Sequence, residues 1–121
     1  MKLGKIMIFV SDLREAKRFY CDVLGFPLAE ETEKRLSFVH QGCDFIAFKC
    51  AKESEIKDYS QTARSVFVFE VASIDETFAE LKNKGVEFLH GEPTENEFSR
   101  YAAFRDSFGN VHEIYESKVK K

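Results

Sequence analysis

Apolar and polar positions follow one order twice along this chain. Lys5-Ile6-Met7-Ile8-Phe9-Val10 is a strand-like apolar run, and Ser11-Asp12 then offer side-chain oxygens that suit a helix N-cap. Leu13, Ala16, Tyr20, Val23 and Leu24 recur at helical spacing until Gly25 stops the helix. The order returns in Val66-Phe67-Val68-Phe69-Glu70-Val71, a second strand. Ser73 and Glu76 then form an S-x-x-E capping box, Ile74, Phe78 and Leu81 form an apolar stripe, and Gly85 is the stop. Val71 follows Val10 by 61 positions, as Ile74 follows Leu13, and Gly85 follows Gly25 by 60. The period is half the chain, the signature of an internal duplication.

Three shorter strands are predicted after each helix. In the first half they are Pro27 to Glu31, Arg35 to His40 and Phe45 to Cys50, with Gln41-Gly42 as a hairpin turn. In the second they are Val86 to His90, Arg100 to Arg105 and Asn110 to Glu116, with Asp106-Ser107-Phe108-Gly109 as the turn. Each half therefore reads βαβββ. The expected organisation is one α+β domain over 1–121: module one at 1–50, a polar connection at 51–63 with a short helical turn, and module two at 64–117. An acidic loop with Pro93 spans 91–99. A sheet whose helix covers one face leaves the other to be covered or to enclose something. Alternation puts Lys5, Met7 and Phe9 on one face of the first strand and Ile6, Ile8 and Val10 on the other, while Val66 and Val68 oppose Phe67 and Phe69. Helices on the outer faces would then leave a cupped, apolar inner surface.

The 121 residues are 44% hydrophobic and 32% charged, which excludes a disordered or collagen-like chain. No apolar run approaches the roughly 20 residues of a membrane helix, and Ile6 to Val10 is too short for a signal peptide, so a cytoplasmic location without membrane partners is expected. A net charge of −3 gives no long-range attraction to nucleic acid. Cys21, Cys43 and Cys50 form neither an even set nor a CxxC pair, and read as reduced thiols. Thirteen Phe with no Trp is a surplus that leaves some rings to line a pocket.

Three segments carry a family resemblance. Val10-Ser11-Asp12-Leu13, then Phe19-Tyr20-Cys21-Asp22-Val23-Leu24-Gly25-Phe26, and finally Phe104-Arg105-Asp106-Ser107-Phe108-Gly109-Asn110-Val111-His112-Glu113 resemble the vicinal oxygen chelate superfamily. That superfamily includes glyoxalase I, bleomycin resistance proteins, fosfomycin resistance enzymes and extradiol dioxygenases. The pattern D-L-x-x-A-x-x-F-Y-x-x-x-L-G-F and the ending G-N-x-x-E span nearly the whole chain. The resemblance implies two tandem βαβββ modules in the glyoxalase/bleomycin resistance/dioxygenase fold.

In such proteins a His near the start of each module's first strand and a carboxylate in each module's last strand hold a divalent metal, a Lewis acid for two neighbouring substrate oxygens. Carried over residue by residue, those positions fall on Lys5, Val66, Ala47 and Glu113. Glu113 alone retains a ligand, and Lys5 is a cation that repels a metal. A shift of two along the strands reaches Met7, Val68 or Phe45, and a further two reaches Phe9; none is better. His40, His90 and His112 fall at the ends of three strands and read as structural or surface residues; His112 and its neighbour Glu113 should face opposite ways. The expectation is thus a cup without cofactor that binds a small organic molecule through Lys5, Met7, Phe9, Ala47, Val66, Val68, Tyr101, Glu113 and Tyr115, in a homodimer, with no catalytic residue assigned. The alternatives are a divalent-metal lyase or dioxygenase with displaced ligands, or a metal-free catalyst using Lys5, Glu113 and Tyr101.

Overall fold

The computed structural model describes residues 5–39, 42–50, 66–96 and 99–118. The chain divides into two compact units, Met1–Ser54 and Glu55–Lys121. His40, Gln41 and the expected helical turn of the 51–63 connection lie outside the described residues.

In the first unit β1 (Lys5–Val10) leads into α1 (Leu13–Lys17). Asp12 is the cap: its Oδ1 accepts from the N–H groups of Arg14 at 2.9 Å and Glu15 at 3.2 Å. The helix does not continue as a regular α-helix. Arg18–Val23 forms a π-helical turn in which the Leu24 N–H donates to the Phe19 carbonyl, five residues back. The wider turn buries Phe19 and Tyr20 side by side, where strict α spacing predicts Tyr20 alone. Gly25, at φ +86°, then lets the Phe26 N–H reach the Tyr20 carbonyl at 2.9 Å and end the helix. Strands β2 (Leu28–Glu31), β3 (Arg35–Phe38) and β4 (Asp44–Lys49) complete a sheet of order β1-β4-β3-β2, in which only the β1–β4 pair is parallel.

The second unit repeats the plan. β5 (Phe67–Glu70) precedes α2 (Ile74–Asn83), whose cap Ser73 accepts from the Glu76 N–H at 3.3 Å. The next exposed donor, the Ile74 N–H, is taken at 2.8 Å by the Glu116 carboxylate from the last strand. Strand β6 (Glu87–Phe88), β7 (Thr94–Glu95), β8 (Ser99–Arg105) and β9 (Val111–Ser117) give the order β5-β9-β8-β6, again with a parallel β5–β9 pair. β7, unforeseen within the acidic loop, pairs with β8 alongside β6, so two short strands share one edge. Two residues are too few for alternation to be visible.

Each core forms between a helix and one sheet face. In the first unit Tyr20 meets Phe38 and Phe45 at ring-centroid distances of 5.4 and 5.8 Å, with Leu36, Ile8, Val10 and Ala47 buried on the same face. In the second, Phe78 of α2 packs on Phe88 at 4.3 Å, Phe88 on Phe104, and Phe104 on His112 at 5.6 Å.

Candidate functional site

The face of each sheet away from its helix carries most of the residues expected to meet a ligand. In the second unit, register and alternation build that face in three cross-strand rows. Val68, Glu113 and Ala103 form the central one. Glu70, Tyr115, Tyr101 and Thr94 form a second, and Val111, Arg105 and Glu87 the third. Neighbouring strands stand roughly 5 Å apart, so the members of a row are in reach of one another. Val68 is 49% exposed, and Val66, just before β5, is half-buried. Arg105 is almost buried, with its Nε 3.6 Å from Glu87 Oε2. Neither Glu70 nor Glu113 has an ion-pair or hydrogen-bond partner among the described residues.

The corresponding face of the first unit is more apolar. Met7, Ile46 and Ser37 make its central row, Phe9, Phe48 and Arg35 the next, and Lys5 and Asp44 lie at its end. Met7 is 38% and Phe9 56% exposed. One expected member is misplaced: Ala47 pairs with Ile8 and Leu36 on the helix-covered face and is fully buried. A strand turns each successive side chain to the opposite face, so an offset of one residue moves Ala47 from the open side to the core. The open-face position is Ile46, opposite Met7 as Glu113 is opposite Val68.

His112 behaves as alternation predicts and faces the core. It is buried between Phe67, stacked at 5.6 Å, and Phe69 and Phe104, both at 5.6 Å. Burial pushes its pKa down to about 4, against a smaller opposing pull from Asp106, so the ring is neutral at pH 7. His90 is half-buried, and His40 lies outside the described residues. Burial, followed by the Asp22 charge, raises the Cys21 thiol pKa, the opposite of nucleophile activation.

The open faces suit a divalent metal poorly. With Ile46 in place of Ala47, the positions expected to hold metal ligands carry Lys5, Val66, Ile46 and Glu113, a single oxygen donor. No group of three or more His, Cys, Asp or Glu side chains stands where it could hold a metal among the described residues.

The model of the Glyoxalase/Bleomycin resistance protein/Dioxygenase superfamily matches residues 2–114. The chain belongs to that superfamily. Among curated proteins of Bacillus subtilis (strain 168), the uncharacterised YraH is 32% identical over 126 residues, covering 96% of this chain and 98% of its own. YetH is 29% identical over 120 residues, covering 95% and 98%. The structure of TnmS3, an antibiotic binding protein from Streptomyces sp. CB03234, aligns with TM-score 0.72 at 22% identity over 98% of this chain and 97% of its own. The fosfomycin resistance protein FosX from Listeria monocytogenes aligns with TM-score 0.78 at 19% identity, covering 98% and 95%. At these identities the structural likenesses establish the fold, and the glyoxalase/bleomycin resistance fold that the family resemblance implied is the one found. No helix among the described residues is long and apolar enough to cross a membrane.

Proposed function

We propose that this protein binds a small organic molecule without a catalytic metal. The observation that carries the reading is the composition of the open sheet faces. Met7 and Phe9 in the first unit and Val68 in the second supply exposed apolar surface, Tyr101 and Tyr115 in the second supply rings with polar tips, and Glu113 is the one carboxylate where the superfamily's metal ligands are expected. Such a surface desolvates an apolar body and orients it with a few polar groups, whereas polarising two substrate oxygens needs several donors around one ion. TnmS3, a neighbour in fold, is an antibiotic binding protein, which supports a non-catalytic use of this architecture.

The apolar side chains that remain exposed on these faces also favour a homodimer of this chain. Native mass spectrometry of protein purified without added metal tests both points. The expected spectrum shows two chains, far less than one transition metal per chain and a carried-over organic mass. Close to one nickel, zinc, iron or manganese per chain would overturn the metal-free reading and favour a lyase or dioxygenase with displaced ligands. A 14.0 kDa species persisting at high concentration in sedimentation would exclude the dimer.

A further inference from the structure

The two units differ at one sheet edge. The first crosses from β2 to β3 through residues 32–34, whereas the second takes residues 89–98 and places β7 among them. β6 pairs with the far end of β8 at Phe104 and Arg105, and the Leu89 N–H donates to the Ala103 carbonyl at 2.8 Å; β7 then returns to the near end, opposite Tyr101 and Arg100. A segment added to one repeat of a duplicated fold is a specialised loop rather than part of the shared scaffold. Its attachment is short and polar. Beyond the two paired residues of β7, the Asn96 N–H donates to the Ser99 carbonyl at 2.9 Å. A further tie comes from the other end of the module: Lys118, just past β9, donates from Nζ to the Asn96 carbonyl at 2.7 Å and stands 3.0 Å from Glu95 Oε1. Thr94 is half-buried and Glu95 and Asn96 are exposed, so little apolar burial holds this segment down.

We propose that β7 is a detachable strap latched by Lys118, and that its release uncovers the Tyr101 edge of the second open face. Glu95 shares a cross-strand row with Arg100 and Glu116, whose partners are Asp75 and the Ile74 N–H of α2, so the latch grips the strap from the helix-covered side. Thr94 turns the other way and stands beside Tyr101, at the end of the row that continues to Tyr115. Loss of the ion pair on one side of the sheet is thereby felt on the other. The Lys118 and Glu95 side chains are 38% and 62% exposed, so the latch is weak and salt screens it, as suits a segment that opens without unfolding the module. The latch is independent of what the open face binds, and a fixed strap would leave metal-free binding intact.

Two readouts on the full chain test it: hydrogen exchange of the Asn96 amide by NMR, and nitration of Tyr101 by tetranitromethane, measured in the tryptic peptide Tyr101–Arg105 against Tyr115 in the peptide that begins at Asp106. Lys118→Met should speed Asn96 exchange about threefold to fivefold and raise Tyr101 nitration relative to Tyr115 by a similar factor, as expected for loss of one exposed ion pair and its hydrogen bond. Sodium chloride at about 1 M should do the same to the parent and add little to the variant. Lys118→Arg should restore both readouts. Asp75→Asn breaks a bidentate pair that ties β8 to α2 without touching β7, and should leave both within about twofold of the parent. Unchanged exchange and labelling in Lys118→Met, or an increase shared equally by Tyr115 and the amides of β9, overturns the latch. Faster Asn96 exchange without greater Tyr101 labelling overturns the uncovering of the open face.

Discussion

Ile46 occupies in the first sheet the register position that Glu113 occupies in the second. Each stands on the parallel pair of its unit, Ile46 opposite Met7 and Glu113 opposite Val68, yet one is only 3% exposed and apolar while the other is half-buried and charged. The duplication preserved the ladder and let the chemistry of the two positions diverge.

That divergence gives an asymmetric pair of substitutions. Ile46→Glu places an unpaired carboxylate in a site only 3% exposed and should lower unfolding stability by about 3 kcal/mol or more. Glu113→Ile removes a charge that has no partner among the described residues and should leave stability within about 0.5 kcal/mol of the parent or raise it. Urea unfolding of the two variants checks this; equal losses would mean that Glu113 has a stabilising partner.

His112 makes stability pH-dependent in a defined window. Its pKa is about 4 in the folded chain against an ordinary 6.5, so the unfolded chain binds the proton first as pH falls. The full stability is present above pH 6.5, declines between pH 6.5 and 4, and loses about 3 kcal/mol in all. Asp75, whose carboxyl Arg100 holds below the usual range through bonds of 2.8 and 3.0 Å, titrates lower and does not confound that window. His112→Phe suits the surrounding rings of Phe67, Phe69 and Phe104 and should flatten the dependence of the urea midpoint on pH between 4 and 6.5. An unchanged slope in that variant would assign the dependence to another group.

Asp106 organises the turn between β8 and β9. Its Oδ1 accepts from the Phe108 and Asn110 N–H groups, both at 2.8 Å, and Oδ2 accepts from Asn110 Nδ2 at 2.8 Å. The residue is buried, so Asp106→Ala strands these donors and should cost about 2–3 kcal/mol, with hydrogen exchange accelerated first in β8 and β9. Asp106→Asn retains an acceptor for the backbone donors and should recover roughly half of the loss.

The backbone plan was legible because both signals it depends on are local and repeated. Asp12 and Ser73 mark helix starts, Gly25 and Gly85 mark stops, and the 61-residue offset confirms each half by the other. The open faces were mostly legible too, since Met7, Phe9 and Val68 follow from period-2 alternation once a strand is fixed, and Glu113 from the family ending G-N-x-x-E. Ala47 failed because the register of β4 against β1 is a tertiary quantity: an apolar run from Phe45 to Phe48 has no polar residue to show which side is out. The π turn was invisible for a similar reason. Phe19 and Tyr20 are both apolar enough for the core, and the backbone widened to bury both where a regular helix would have favoured one.

Gly25 provides a last test, of backbone conformation alone. It sits at φ +86° where α1 and its π turn end, and a Cβ built there meets nothing within 4 Å. Gly25→Ala therefore creates no clash, and its cost is the strain of holding an L side chain in the left-handed region, about 1–2 kcal/mol. Gly91 is the matched control: a Cβ there also meets nothing within 4 Å, and its φ is not positive. Gly91→Ala should be neutral or stabilise by up to about 1 kcal/mol by restricting the unfolded chain. Thermal unfolding of both variants separates the contributions, and a loss in Gly91→Ala as large as that in Gly25→Ala would rule out left-handed strain as the cause.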